Sequence, residues 1–174
     1  MTVTEPLNIG QMLTAQARLQ PERIGARDLE RAMTFRRWNK RACRLANALN
    51  GLGLTKGDRL AVLAYNRVEW VEIFAATAKA GIIAVPINFR LTGPEAQYIV
   101  ENSGASAVLA EDVLAGTIET VRDNLDVPAN RFILIGDGRA DGEWRKYEDL
   151  LATASDSEPD VAVSPDDTWC LMYT

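Results

Sequence analysis

Two glycine clusters are the first places where this sequence could bind a phosphate; they span residues 51–57 and 136–142. A dinucleotide-binding loop needs its glycines after a strand and before a helix, because the amino terminus of that helix must meet the pyrophosphate. The first cluster follows a predicted helix and precedes a predicted strand, so we interpret it as a helix-capping turn. The second follows a predicted strand, but its GxGxxxG spacing and the polar stretch after it favour a surface loop.

Acidic side chains offer a second kind of chemistry, metal binding or proton transfer. Asp137, Asp141 and Glu143 have the donor type that calcium prefers, but the spacing of an EF-hand loop is missing. The acidic pairs at 111–112 and 166–167 lie where helices or strands begin, and carboxylates there cap helices or stay solvated. We therefore predict no catalytic residue and no metal ligand in this chain.

A basic face on the predicted helix over residues 35–52 is the candidate for nucleic-acid binding. Apolar residues recur at helical spacing on one side, and the other side carries Arg36, Arg37, Lys40, Arg41 and Arg44. No exposed aromatic platform is interleaved with these cations, and residues 61–174 carry 19 acidic against 8 basic side chains, which would repel a polyanion. We interpret the face as solvated and predict no nucleic-acid partner; salt-sensitive binding to nucleic acid is the alternative.

Composition excludes several other mechanisms. The 174 residues contain no histidine, so Ser-His-Asp, Cys-His and imidazole–metal sites are excluded within them. Cys43 and Cys170 lie far apart in apolar settings, which favours a reducing compartment. The amino terminus lacks a signal-peptide pattern, and the longest apolar run, residues 80–87, is far shorter than the roughly 20 residues of a membrane-spanning helix. We expect a soluble, cytoplasmic protein without a membrane span.

The candidate residues lie on a repeating pattern of apolar strands and amphipathic helices. Strands are predicted over residues 59–65, 82–86, 105–110 and 131–135, and helices over residues 35–52, 67–79, 92–101 and 113–125. Thr34 and Thr92 are predicted to cap helix starts, and Gly81 and Gly104 helix ends. Successive strands joined by helices predict an α/β fold with a layered, mostly parallel sheet flanked by helices.

Both ends of the chain depart from this repeat. A helix over residues 7–19 and short strands over 23–28 and 32–34 come first. A loop over 136–146, a short helix over 147–152, an acidic loop over 153–167 and a strand over 168–174 come last. In the helix over 67–79 we expect five residues to face the core: Trp70, Val71, Phe74, Ala75 and Ala78.

Six segments, in order, carry a further pattern: MTFRRW (33–38), the long helix (39–52), KGDRLAV (56–62), AKAGIIAVPIN (78–88), NFRLT (88–92) and DTWCLMYT (167–174). Together they resemble the amino-terminal region of the adenylate-forming (AMP-binding) enzymes, the superfamily of acyl-CoA synthetases, peptide-synthetase adenylation domains and luciferases. The NFRLT segment favours the acyl-CoA synthetase branch. Arg37 and Trp38 depart from the Glu-Leu that the family's first motif usually carries.

The resemblance implies that residues 1–174 are the incomplete amino-terminal part of the AMP-binding large domain, with the carboxy-terminal domain absent. The full-length parent would use ATP, Mg²⁺ and coenzyme A to convert a small-molecule carboxylic acid, in fatty acid metabolism, to acyl-AMP and then to acyl-CoA. Thr174 matches the first threonine of the family's phosphate loop and is the one cofactor-binding residue that the resemblance places in this chain. We expect the fragment alone to be inactive, and a homo-oligomer is compatible with the resemblance.

Two other functions stay open from the sequence. One is a non-enzymatic interaction or regulatory domain derived from a synthetase. The other is the adenylation domain of a peptide synthetase. The sequence does not specify which carboxylic acid the parent would activate.

Overall fold

The computed structural model describes residues 7–138 and 143–174. In chain order its helices and strands are α1 (Ile9–Leu19), β1 (Ile24–Arg27), β2 (Ala32–Thr34), α2 (Phe35–Gly51), β3 (Arg59–Leu63), α3 (Glu69–Ala80), β4 (Ile83–Ile87), α4 (Gly93–Ser103), β5 (Ala107–Glu111), α5 (Ala115–Glu119), β6 (Phe132–Ile135), β7 (Arg145–Lys146) and α6 (Tyr147–Thr153). Short 3₁₀ turns cover Asp112–Leu114, Arg122–Asn124 and Ala129–Arg131.

The central feature is a five-stranded sheet in the order β4-β3-β5-β6-β7, in which every neighbouring pair is parallel. A separate antiparallel hairpin joins β1 to β2. Helices α3, α4 and α5 each lie between consecutive strands of the sheet, as crossover connections require. The predicted α/β class with a parallel sheet is confirmed.

Both faces of the sheet are covered, which is why its strands read as nearly continuous apolar runs. On one face, Val85 and Leu63 pack with Ile99 of α4 and Ile118 of α5. The opposite core contains residues of β3, β5 and β6 together with α2, α3 and α6: Leu45, Leu49, Leu60, Ile73, Leu109, Ile133 and Tyr147. Helix α1 packs on the outer side of α2 and α3. On this face the sheet is therefore covered first by α2 and α3 and then by α1.

The predicted caps are confirmed, and they explain where the helices begin and end. Thr34 accepts a hydrogen bond from the Arg37 amide (3.3 Å), and Thr92 forms a capping box with Glu95. Gly81 and Gly104 end α3 and α4 in the left-handed conformation, with φ of +66° and +60°.

The first glycine cluster is a turn after a helix, as predicted, although Gly51 itself is still helical. Gly53 and Gly57 supply the positive φ angles of the turn, +85° and +89°. The chain then enters β3 directly, so no helix amino terminus faces these glycines.

The prediction of one helix over residues 113–125 is wrong. This stretch is a 3₁₀ turn, the five-residue α5 and a second 3₁₀ turn. Gly116 weakens the helix, and the Thr120 hydroxyl donates to the Thr117 carbonyl (2.8 Å), where it competes with the helical backbone bonds.

The prediction for the buried face of α3 is wrong in part. Ala75 and Ala78 are buried, but Trp70, Val71 and Phe74 are only half-buried. The α3 residues with no exposed surface are Ile73, Ala76, Thr77 and Ala80. The reason is that α3 packs on the sheet on one side and on α1 and α2 on another, so its buried surface is wider than a single stripe.

The prediction of a strand over residues 168–174 is also only partly right. A single parallel bridge joins Cys170 to Ala84 of β4. The Ala84 amide donates to the Trp169 carbonyl (3.0 Å), and the Leu171 amide donates to the Ala84 carbonyl (2.9 Å). This segment therefore lies along the outer edge of β4, but it does not continue the ladder.

Candidate functional site

The carboxyl ends of the parallel strands form the candidate site. In open α/β sheets, ligands bind in the crevice beyond these ends. Residues 64–67, 88–91, 112–114 and 136–138 follow β3, β4, β5 and β6 at this edge. The segment ending at Tyr173 and Thr174 runs parallel to β4, so it approaches the same edge.

An aromatic pair with an adjacent cation lies at this edge. The rings of Tyr65 and Phe89 have centroids 4.8 Å apart at 56°, and their side chains are 44% and 38% exposed. The Arg90 guanidinium carbon lies 5.4 Å from the centre of the Phe89 ring. Exposed rings can stack on a planar group, and a guanidinium can pair with an anion. Sequence reasoning missed this pair, although an aromatic residue closely follows each of two apolar strands.

The acidic residues at this edge are paired with cations and amides. Glu111 accepts from the Tyr65 amide (2.8 Å) and pairs with Arg67 (2.9 Å). Glu69 pairs with Arg31 (2.8 Å) and Arg67 (2.7 Å). Burial opposes ionisation of Glu69, but the hydrogen bonds from the two arginines prevail and lower its pKa to about 2. At neutral pH Glu69 is thus an ionised structural carboxylate.

Gly136 and Gly138 of the second glycine cluster pack against a carboxylate. The Gly138 amide donates to Asp112 Oδ2 (2.7 Å), and Gly136 has a φ of +113°. A Cβ atom on Gly136 would clash with the Asp112 carboxylate. Close backbone approach to this side chain accounts for both glycines, as the predicted loop requires.

Of the three calcium candidates, Asp141 lies outside the described residues. Asp137 and Glu143 are described. Within residues 7–138 and 143–174, no group of three or more carboxylate, thiol or imidazole side chains is arranged to hold a metal ion.

The other predicted acidic pair, Asp166 and Asp167, lies far along the chain from the aromatic pair. Asp167 pairs with Lys56 (2.5 Å) and accepts from the Ser164 amide (2.7 Å). The Lys56 hydrogen bond is the main cause of the lowered pKa of Asp167. These contacts give Asp167 a structural role in a turn.

The basic face of α2 contacts the chain's own carboxylates. Arg41 pairs with buried Glu72 (2.5 Å) and with Glu148 (2.6 Å). Lys40 pairs with Asp156 (3.1 Å). Arg36 pairs with Glu22 (2.8 Å), and Arg44 lies 3.9 Å from Asp156. Four of the five cations predicted on this face therefore have acidic neighbours.

Thr174 is exposed at the end of the segment beside β4. Its neighbour Tyr173 is fixed by α4: the Tyr173 hydroxyl donates to Asn102 (2.8 Å), and its ring lies edge-on to Tyr98 at 6.5 Å. The two cysteines have free thiols; Cys43 is buried, and burial is the main reason that its pKa is raised to about 11.

Known proteins are similar to this chain in sequence and in fold. The profile of the AMP-binding enzyme family matches residues 13–174. The long-chain-fatty-acid–CoA ligase FadD13 of Mycobacterium tuberculosis is 37% identical over 170 residues, which cover 96% of this chain and 32% of that protein. A feruloyl-CoA synthase of an Amycolatopsis species is 32% identical over 166 residues, 95% of this chain and 30% of that protein.

A solved structure of a CoA ligase is also similar to this chain in its fold. The anthranilate CoA ligase AuaEII, in complex with anthranoyl-AMP, superposes with a TM-score of 0.90 at 27% identity and covers 99% of this chain and 33% of its own. The chain spans about a third of the length of the curated relatives it matches. No helix in the described ranges is long and apolar enough to cross a membrane. The match of the family profile over residues 13–174 shows that this chain belongs to the AMP-binding enzyme family.

Proposed function

We propose that residues 1–174 are the amino-terminal part of the large domain of an ATP-dependent acid–CoA ligase, whose carboxy-terminal domain lies outside this chain. The observation that carries the proposal is the similarity to CoA ligases across nearly the whole chain, at about a third of their length. The whole protein would join a carboxylic acid to ATP, release pyrophosphate, and pass the acyl group from acyl-AMP to coenzyme A.

In this proposal the chain supplies scaffold and one wall of the cleft. The parallel sheet directs the ends of β3 and β4, with Tyr65 and Phe89, toward the crevice where a ligand would bind. Thr174 is the proposed nucleotide contact, because its segment reaches the same edge. The exposed rings of Tyr65 and Phe89 and the Arg90 guanidinium would suit a ligand that has planar and anionic parts.

Magnesium would stabilise the charge that develops on the phosphates. The described residues contain no cluster of donors that fits it, so its ligands would come from the remainder of the proposed parent. ATP and coenzyme A are likewise proposed for the whole protein. The carboxylates at the candidate edge already have cationic partners, which is the arrangement of a scaffold.

Fatty acid metabolism is the proposed setting, because the relative at 37% identity is a long-chain-fatty-acid–CoA ligase. Another relative is a feruloyl-CoA synthase, so an aromatic acid is the competing substrate class. We also propose a cytoplasmic protein that binds no nucleic acid, since its basic helix face is occupied by its own carboxylates, and a homo-oligomer is compatible with the fold.

The test is acid-dependent exchange of labelled pyrophosphate into ATP. We expect the purified 174-residue chain to show none, because the groups that act on ATP lie beyond it in the proposed parent. The reading frame past codon 174 should continue for several hundred codons, and its full-length product should show exchange and acid-dependent AMP release that requires coenzyme A.

Three results would contradict the proposal. Robust exchange by the 174-residue chain would place the machinery within it. A stop codon after Thr174 with a stable, monodisperse product would favour an interaction domain derived from a synthetase. Exchange that depends on an amino acid and is followed by no coenzyme A step would favour a peptide-synthetase adenylation domain.

A further inference from the structure

Residues 154–167, which we term the strap, connect α6 to the segment beside β4 without regular secondary structure beyond a turn. The strap crosses the outer surface of α1, α2 and α3 on its way from one side of the sheet to the free edge of β4. A groove of about 1120 Å³ lies between the strap and α1, and its lining includes Gln11 and Val161. The strap is therefore not packed into the core.

Ion pairs join the strap to the rest of the chain at three places. Asp156 pairs with Lys40 (3.1 Å) on α2. Glu158 pairs with Lys79 (2.6 Å) on α3. Asp167 pairs with Lys56 (2.5 Å) in the turn before β3.

Side chains outside the strap also donate hydrogen bonds to its backbone carbonyls. Asn47 Nδ2 donates to the carbonyls of Ser155 and Ser157, both at 2.9 Å. Lys56 Nζ donates to the Ala162 carbonyl (3.0 Å), and Asn8 Nδ2 donates to the Val163 carbonyl (2.9 Å). Polar side chains thus hold the strap near both of its ends, where the rest of the chain relies on apolar packing.

The pair between Lys79 and Glu158 is the most buried of the three attachments. The Lys79 side chain is 3% exposed, and its ammonium also donates to the Thr14 hydroxyl (2.6 Å) on α1. A buried ammonium is stable only when it is paired and hydrogen-bonded. Glu158 is therefore the charge partner of the buried Lys79 ammonium under α1.

We propose that these charge pairs fasten the strap and thereby hold residues 168–171 on the edge of β4. The pairing on β4 consists of one bridge and two backbone hydrogen bonds, and beside it the Trp169 indole donates to the Phe74 carbonyl (3.0 Å). Anchoring of the chain before it adds to these few contacts. Releasing the strap loosens residues 168–171 on β4, while Tyr173 stays bound to Asn102 of α4 and the sheet and its helices remain folded. Such local opening is ordinary for a segment with few buried apolar contacts.

Hydrogen exchange of individual amides in the 174-residue chain tests this proposal. Asp156→Asn, Glu158→Gln and Asp167→Asn are combined, since these changes remove the charges and preserve the shapes. We expect the Ala84 and Leu171 amides, which carry the two bonds on β4, to exchange about tenfold faster than in the wild-type chain. The Ser106 amide, which donates to the Arg59 carbonyl between β5 and β3, should keep its rate.

Glu22→Gln is the matched control, because Glu22 forms an exposed pair with Arg36 away from the strap. It should leave all three amides unchanged. A salt titration of the wild-type chain needs no variant: salt screens the half-exposed pairs, so the Ala84 and Leu171 amides should exchange faster as salt rises while Ser106 does not.

Equal exchange of Ala84 and Leu171 in the wild-type chain, in the triple variant and at high salt would overturn the proposal. If Ser106 also exchanges faster in the triple variant, the fold as a whole is weakened, and the salt titration of the wild-type chain decides. Under the proposed function, the fastened segment positions the chain that enters the phosphate loop. The exchange experiment involves no ATP, so failure of the strap and failure of the ligase proposal are distinguishable.

Discussion

At the residue scale, the buried carboxylates of this chain are structural partners of arginines. Glu69 has a side chain 4% exposed and contacts both Arg31 and Arg67. Glu72 has a side chain 2% exposed and accepts from Arg41 and from the buried Tyr147 hydroxyl (2.7 Å). A buried ion that loses its partner costs more than an exposed pair contributes, so these positions should be sensitive to substitution.

Replacing Glu69 tests this sensitivity. We expect Glu69→Gln to lower the free energy of unfolding at pH 7 by about 1–3 kcal/mol, because two arginines lose a charged partner while remaining partly exposed to water. Urea denaturation measures the change. Glu22→Gln, on an exposed pair, should change it by less than about 0.5 kcal/mol, and equal effects of the two variants would contradict the argument.

The same residue predicts a pH dependence. The pKa of Glu69 falls from an ordinary 4.5 to about 2 in the folded chain, so its contribution to stability is complete above pH 4.5 and is lost as pH falls toward 2. The stability difference between wild type and Glu69→Gln should therefore narrow between pH 5 and pH 2.5 in urea titrations. A difference that stays constant over this range would show that Glu69 does not carry this linkage.

At the element scale, helix boundaries depend on local hydrogen bonds that the sequence displays. Helix α4 begins at a capping box in which the Thr92 amide and hydroxyl both donate to Glu95, at 2.8 and 2.7 Å. The backbone hydrogen bond from Thr92 is the main cause of the lowered pKa of Glu95. This box fixes the direction in which α4 leaves the carboxyl edge of β4.

We expect Thr92→Ala to lower the free energy of unfolding by about 1 kcal/mol, because the first turn of α4 loses its capping side chain. Thr92→Ser retains the hydroxyl and is the matched control, with a change of a few tenths of a kcal/mol. Urea denaturation at pH 7 compares the three chains. Identical stabilities for the alanine and serine variants would show that the box does not stabilise α4.

At the scale of the whole molecule, the two cores share the central strands of one sheet. Leu60 and Leu63 of β3 are fully buried on opposite faces, one against α2 and α3 and the other toward α4 and α5. Ion pairs also connect these parts, because cations on the basic face of α2 pair with carboxylates of α3, α6 and the strap. The sheet and its flanking helices should therefore unfold as one unit.

We expect Leu60→Ala and Leu63→Ala each to lower the free energy of unfolding by about 3 kcal/mol, through a single transition. Leu19→Ala, at a side chain 75% exposed, should have an effect below about 0.5 kcal/mol. Far-UV and near-UV circular dichroism should follow the same urea curve in each chain. Separate transitions for the two leucine variants would show that the faces unfold independently.

The sequence alone determined the α/β class, the order of most elements and the helix caps, because each rests on local spacing or on a residue such as Gly81 with a required backbone conformation. It also displayed the resemblance to the AMP-binding enzymes, which the family match over residues 13–174 confirms. It failed over residues 113–125, where Gly116 and the Thr120 hydroxyl outweigh the helical pattern, and for α3, whose neighbours lie on more than one side.

Only the tertiary structure decided which distant residues meet. Tyr65 and Phe89 come together because parallel strands place their carboxyl ends at one edge, and Glu158 meets Lys79 because the strap passes over α1. The final segment joins β4 through Ala84 by one bridge, a pairing that depends on an unfilled sheet edge in space. Contacts of this kind are set by chain topology and long-range packing, which the local spacing of residue types does not encode.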